Sequence, residues 1–99
     1  MKVTFADRQL ERCFLDERLA NRTWGDSVGQ RFIQRIKLLQ NSSKFEDLFE
    51  AQTLRLHPLR GDRTGQWSLT LIGRWRLLFR LSDDQQSITL VEVSNHYDD

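Results

Sequence analysis

Apolar residues recur at helical spacing through the first half of the chain and alternate through the second, with the change of period near Leu54. Lys2 to Phe5 reads as a short strand, Val3 and Phe5 sharing one face. Asp7 stands where an N-cap is expected, because a carboxylate there accepts from first-turn amides that have no partner inside the helix. The helix it opens is predicted over Arg8 to Asn21. Leu10, Phe14, Leu15 and Leu19 form its apolar stripe, while Arg8, Glu11, Arg12, Glu17, Arg18 and Arg22 keep the other side charged. Gly25-Asp26-Ser27 interrupts the pattern, and Ser27 and Gln30 have capping-box spacing. A second helix follows from about Val28 to Leu39. Val28, Phe32, Ile36 and Leu39 turn inward with Ile33 beside them, and Gln30, Arg31, Gln34, Arg35 and Lys37 face water. The two helices are expected to pair antiparallel. Asn41-Ser42-Ser43 ends the second, and Lys44 to Glu50 is read as a brief helical turn.

Period two takes over afterwards. Leu54 and Leu56 flank Arg55 in a strand that Pro58 limits, since proline cannot donate to a ladder. Leu59 to Gln66 is a polar loop holding Gly61 and Gly65. Trp67, Leu69 and Leu71 alternate with Ser68 and Thr70. Gly73-Arg74 fits a two-residue turn, and Trp75, Leu77, Phe79 and Leu81 then alternate with Arg76, Leu78 and Arg80. A last strand, about Ser87 to Val93, sets Ile88 and Leu90 opposite Thr89, Val91 and Val93. The pattern predicts an α+β domain: an N-terminal strand and two or three helices packed on one face of a curved, mainly antiparallel sheet.

At 99 residues the chain is read as a single domain, 1–99, large enough to bury a core without metals or disulfides. No apolar run approaches the roughly 20 residues that span a bilayer, and the start lacks the apolar region of a signal peptide. The lone Cys13 has no partner for an internal disulfide and suits a reducing compartment. A soluble, cytoplasmic protein is the expectation. The net charge of +1 conceals an uneven distribution. Residues 1–54 carry nine Lys/Arg against eight Asp/Glu, residues 55–80 six against one, and residues 81–99 none against five. Arg55, Arg60, Arg63, Arg74, Arg76 and Arg80 thus form a basic block around Asp62, where a polyanion would bind. Composition leaves a second reading open, an ordinary solvated face whose arginines pair with the acidic tail.

If the apolar side of the Trp75 strand faces the helices, Arg76 and Arg80 point to the open face. His57 and Arg60 lie in the loop entering the sheet, and His96 and Tyr97 follow its last strand, so His57, Arg60, Arg76, His96 and Tyr97 can converge on one concavity. Such a set suits cleavage of RNA through its own 2′-OH. A base takes the hydroxyl proton, an acid protonates the departing 5′-oxygen, and cations meet the growing phosphate charge. Each residue also has a plainer role. His57 before Pro58 orders its loop through a backbone hydrogen bond, His96 and Tyr97 are solvated near the end, and Trp67 and Trp75 are core or sheet-edge aromatics. His57 and His96 lie in separate elements with no Cys or carboxylate cluster, so no metal site and no cofactor is expected.

The run Leu56-His57-Pro58-Leu59-Arg60-Gly61-Asp62, then Gly65, Trp67-Ser68 and Trp75-Arg76-Leu77-Leu78-Phe79, resembles the HigB family of the RelE/ParE toxin superfamily, the host-inhibition or plasmid maintenance killer proteins. The resemblance covers the chain in length and element order, and its specific part is residues 54–79. It implies the toxin of a type II toxin–antitoxin system, a metal-independent, ribosome-dependent mRNA endonuclease that inhibits translation. Its partners would be a HigA-like helix-turn-helix antitoxin, the ribosome with mRNA in the decoding site, and operator DNA through the antitoxin complex only. Matched to the motif, His57 falls on the loop histidine, Arg60 on the basic position that is often lysine, and Arg76 on the arginine of the WR motif. His96 and Tyr97 fall near a C-terminal Tyr/His pair in reversed order. Arg60 keeps the charge but is a poor proton donor, which assigns it to phosphate stabilisation; Arg55, Arg63, Arg74 and Arg80 are expected to bind the RNA backbone. Two alternatives stand beside this: a ParE-like, non-catalytic poison of DNA gyrase, or an inactive homologue that only binds its antitoxin.

Overall fold

The computed structural model describes residues 1–95, so His96, Tyr97, Asp98 and Asp99 lie outside the described residues. β1 (Lys2–Phe5) leads into three helices, α1 (Arg8–Leu15), α2 (Glu17–Trp24) and α3 (Asp26–Asn41). Two 3₁₀ turns, Phe45–Glu50 and Gln52–Leu54, then bring the chain to β2 (His57–Pro58). A third, Gly61–Arg63, precedes β3 (Gln66–Ile72), β4 (Trp75–Leu81) and β5 (Ser87–Ser94). The sheet order is β1-β5-β4-β3-β2, antiparallel except where β1 runs parallel to β5. The predicted α+β arrangement is therefore present, with the helices on one face.

Asp7 caps α1 as its sequence position demands, its Oδ1 accepting from the Leu10 amide at 2.9 Å. The single helix expected to reach Asn21 is two. Asp16 adopts an extended conformation, ends α1 and caps α2, accepting from the Arg18 and Leu19 amides at 3.0 and 3.4 Å. The stripe changes in consequence. Leu10, Cys13 and Ala20 are buried, Phe14 and Leu19 half-buried, and Leu15, expected inside, is 76% exposed at the break. The Ser27 capping box does not form either: α3 begins at Asp26, and its N-cap is Gly25 at φ +92 with no side-chain cap. Gly25 at once ends α2 and starts α3, so the two helices meet at one residue.

So tight a corner forces close packing. A Cβ on Gly29 would lie 2.9 Å from the Ala20 carbonyl carbon and the Asn21 nitrogen, both backbone atoms. Phe32, Ile36 and Leu39 of α3 are fully buried against Leu69, Leu71, Leu77, Phe79, Ile88 and Leu90 of the sheet. Burying each such side chain contributes roughly 1.5–3 kcal/mol. Arg31 and Arg35, read from the sequence as facing water, are half-buried instead. Their guanidinium groups donate to the Leu71 and Thr70 carbonyls at 3.2 and 3.3 Å, where β3 carries a bulge between Thr70 and Ile72. The bulge disrupts the ladder locally, and α3 supplies donors to carbonyls beside it. Burial, with the charge of Arg31 second, lowers the proton affinity of Arg35 below its ordinary value.

Two strands also differ from their predicted form. Leu54 closes a 3₁₀ turn rather than belonging to a strand, leaving β2 with His57 and Pro58 alone. In β5 the register shifts between Leu78 and Phe79, which pair with Glu92 and Leu90 and leave Val91 as the extra residue. Simple alternation put Val93 opposite Leu90. The bulge turns Val93 back onto the core side, where it pairs with Leu77, and sends Glu92 and Ser94 to the open face.

Gly29→Ala is expected to destabilise the fold by about 1–3 kcal/mol through overpacking, lowering Tm by several degrees; an unchanged melting curve would show that α2 and α3 separate freely. Cys13 is fully buried, and burial raises its thiol above the ordinary value. Thiol labelling at neutral pH should therefore be slow in the native protein and fast in denaturant.

Candidate active site

The open face of the sheet is defined by cross-strand neighbours. β2 sets His57 opposite Ser68, β3 sets Ser68 opposite Leu78 and Thr70 opposite Arg76, and β5 sets Glu92 opposite Leu78 and Ser94 opposite Arg76. Two rows result, His57–Ser68–Leu78–Glu92 and Thr70–Arg76–Ser94. Leu59 to Gln66 folds over the first row, its Leu59 amide donating to the Gln66 carbonyl at 2.8 Å. The half-open cavity beneath it, about 820 Å³, is lined by His57, Arg60, Asp62, Arg63, Ser68 and Arg76, with Pro58, Leu59, Leu78 and Ser94.

His57 is held by the backbone. Its Nδ1 lies 2.7 Å from the Arg55 carbonyl. A carbonyl only accepts, so Nδ1 carries the hydrogen, and in the neutral ring the lone pair belongs to Nε2, which is buried. The carbonyl reaches this position because Arg55 adopts the left-handed conformation, φ +48 and ψ +46, which costs an L-residue on the order of 1–2 kcal/mol. Such strain is retained where surrounding structure enforces it, commonly at functional sites.

Arg76 is 4% exposed although its strand position faces away from the core. One guanidinium nitrogen donates to the Gly73 carbonyl at 2.7 Å and to the Trp75 carbonyl at 3.1 Å. Gly73 supplies the positive φ, +56, of the β3–β4 turn. The hairpin tip is thereby tied to the arginine that lines the cavity. Arg63 is less available: it donates to Glu92 at 2.7 Å and to the Gln66 side-chain carbonyl at 3.0 Å. Both members of that ion pair are partly exposed, 43% and 39%, so the pair contributes at most about 1 kcal/mol.

Four of the expected site residues thus meet, His57, Arg60, Arg63 and Arg76. Arg55 lines a neighbouring hollow that Arg76 also borders. Arg74, in the turn, and Arg80, farther along β4, are exposed and line neither. His96 and Tyr97 lie outside the described residues, following two and three positions after the cavity-lining Ser94. Sequence reasoning did not single out Ser68, Leu78 or Ser94. Leu78 stands two residues from Arg76 on its own strand, Ser68 pairs with Leu78, and Ser94 pairs with Arg76, a placement that needs the β5 register to be read. Ser68 Oγ and Thr70 Oγ1 are buried and have no hydrogen-bond partner among the described residues. Among those residues no group of three or more His, Cys, Asp or Glu is placed to hold a metal ion, and no helix is long and apolar enough to cross a membrane. Chemically, the cavity offers a positioned imidazole, several guanidinium groups and two hydroxyls, a set suited to an oxyanion bearing a transferable proton nearby.

No known family profile matches the chain. It is 36% identical over 50 residues to Endoribonuclease HigB of Proteus vulgaris, a match covering 50% of this chain and 53% of that protein, so it spans about half the length of that relative. Among solved structures, YafQ from E. coli strain BL21(DE3) superposes with a TM-score of 0.63 at 16% identity, covering 94% of this chain and 90% of that one. The toxin–antitoxin complex RelBE2 from Mycobacterium tuberculosis gives 0.52 at 19% identity, covering 96% of each chain.

Glu92→Gln should release Arg63 and raise the salt concentration at which the protein elutes from heparin. An unchanged elution would mean that Glu92 does not restrain the Arg63 charge.

Proposed function

We propose that this chain, whose fold resembles those of YafQ and of the RelBE2 complex, is a RelE/ParE-superfamily toxin of a type II toxin–antitoxin system and works as an endoribonuclease on messenger RNA. What supports this most is the convergence of His57, Arg60 and Arg76 on one cavity of about 820 Å³, with the His57 ring held at Nδ1 by a strained carbonyl.

In the proposed reaction the substrate's docking uncovers the buried His57 Nε2, which removes the proton of a ribose 2′-OH; the 2′-oxygen attacks the adjacent phosphorus, and the bond to the 5′-oxygen breaks. The products are a 2′,3′-cyclic phosphate and a 5′-hydroxyl end, the latter taking a proton from His96 or Tyr97. Arg76, fixed by the Gly73 carbonyl, and Arg60, exposed at the cavity rim, meet the charge that grows on the non-bridging oxygens. Proton transfer and cationic stabilisation come from side chains, so the reaction is proposed to run without a metal. The ribosome is assigned the remaining task. Messenger held in the decoding site arrives with its phosphodiester oriented, an advantage that can amount to several kcal/mol of the barrier. The partners proposed are a HigA-like helix-turn-helix antitoxin, the ribosome with its mRNA, and operator DNA through the antitoxin complex.

Brief induction in cells followed by primer extension on messenger RNA tests the reading. New 5′ ends inside translated codons are expected, absent when initiation is blocked. His57→Ala and Arg76→Ala should each reduce them by about 10²–10³, the loss associated with one transition-state contact. Growth arrest without new ends would point to another target, and cleavage at the parental rate by both variants would sink the assignment of these residues.

A further inference from the structure

A second hollow, about 490 Å³, lies on the far side of Arg76 from His57. Arg55, Gln52 and Thr53 form one flank, Thr70 and Gly73 the other, and Arg76 borders both hollows. No carboxylate lines it, so its walls offer two guanidinium groups, an amide and two hydroxyls. It is built to receive an anion.

Three observations connect this hollow to the proposed active site. Ser68 and Thr70 lie two residues apart on the open side of β3, one hydroxyl in each hollow, both buried and without a partner among the described residues. Two residues of strand span about 6.6 Å, comparable with one nucleotide step of an extended single strand. Arg55 is the second link. Its left-handed backbone turns its carbonyl onto His57 Nδ1, and the same residue lines the second hollow. The third is Arg76, positioned between the two.

We infer that a single RNA strand runs along the open face of β3, its scissile phosphodiester in the main cavity and the adjoining phosphodiester in the second hollow against Arg55, Thr70 and Arg76. This rests on the nuclease reading above and specifies how much of the substrate the protein grips: two successive phosphates. The neighbouring phosphate is bound by the residue whose carbonyl orients His57, so the second subsite is continuous with the segment that carries the base.

The test uses messenger carrying a single neutral methylphosphonate at one or the other phosphate beside the cleaved one, presented on programmed ribosomes. Cleavage is followed for the parent, Arg55→Asn and Thr70→Val. Asparagine tolerates the left-handed conformation, so the Arg55 carbonyl stays in place, and valine removes the Thr70 hydroxyl at nearly constant shape. Neutralising one neighbour is expected to slow the parent about tenfold through KM, with kcat little changed. The same methylphosphonate should slow Arg55→Asn no further, and Thr70→Val less than the parent. Fully multiplicative losses in both variants, or no loss at either neighbour, would overturn the second subsite while leaving the nuclease reading intact. Failure of the parent to cut unmodified messenger would overturn that reading itself, and the subsite with it.

Discussion

A guanidinium embedded in a sheet is the constraint on which the site's architecture rests. Removing an ion from water costs several kcal/mol unless donors and acceptors are arranged around it. Arg76 meets that requirement through the carbonyls of the turn beginning its own strand. Its neighbourhood is bounded by irregularities, the β3 bulge at Thr70/Ile72 and the β5 shift beside Leu78. Each bulge adds a residue and increases local twist, so strands that elsewhere pair regularly curve around the arginine. The hollow face and the end of β5 at Ser94 both border that one side chain.

The helical layer serves the same end from the other side. α3 provides the apolar floor through Phe32, Ile36 and Leu39, and it also answers the polar demands of the bulge with Arg31 and Arg35. A regular β3 would need neither arginine. The irregular strand that shapes the cavity is thus stabilised from behind by long side chains whose stems lie along the core and whose heads reach backbone oxygen.

Much of this was legible along the chain because local physics dominates there. The Asp7 cap, the Gly73-Arg74 turn, the alternation through β3 and β4 and the apolar face of α3 depend on neighbours within a few residues. What escaped depends on distant partners or on competing local signals. The stripe through Leu10, Phe14 and Leu19 continues across Asp16, so periodicity alone joined two helices that a capping carboxylate divides. Arg31 and Arg35 read as solvated because nothing local reveals that they donate to carbonyls forty and thirty-five residues away. Val93 was put on the wrong face because one inserted residue inverts every side chain after it. At the site, the cationic cluster and His57 could be anticipated from residue type, whereas Ser68, Leu78 and Ser94 required the register. Arg63 shows the limit of counting charges, since its guanidinium is engaged by Glu92.

The parallel pairing of β1 with β5 carries a consequence for synthesis. Thr4 and Thr89 sit side by side at a sequence separation of 85, and β5 occupies an interior place in the sheet. Contacts of that sequence separation form late, since the intervening chain must be ordered before they are rewarded. On a translating ribosome, α2 and α3 can associate as soon as they emerge, but the cavity has no far wall until Ser94 has left the exit tunnel. The geometry that joins His57 and Arg76 to Ser94 therefore comes into being only after elongation has passed the last strand.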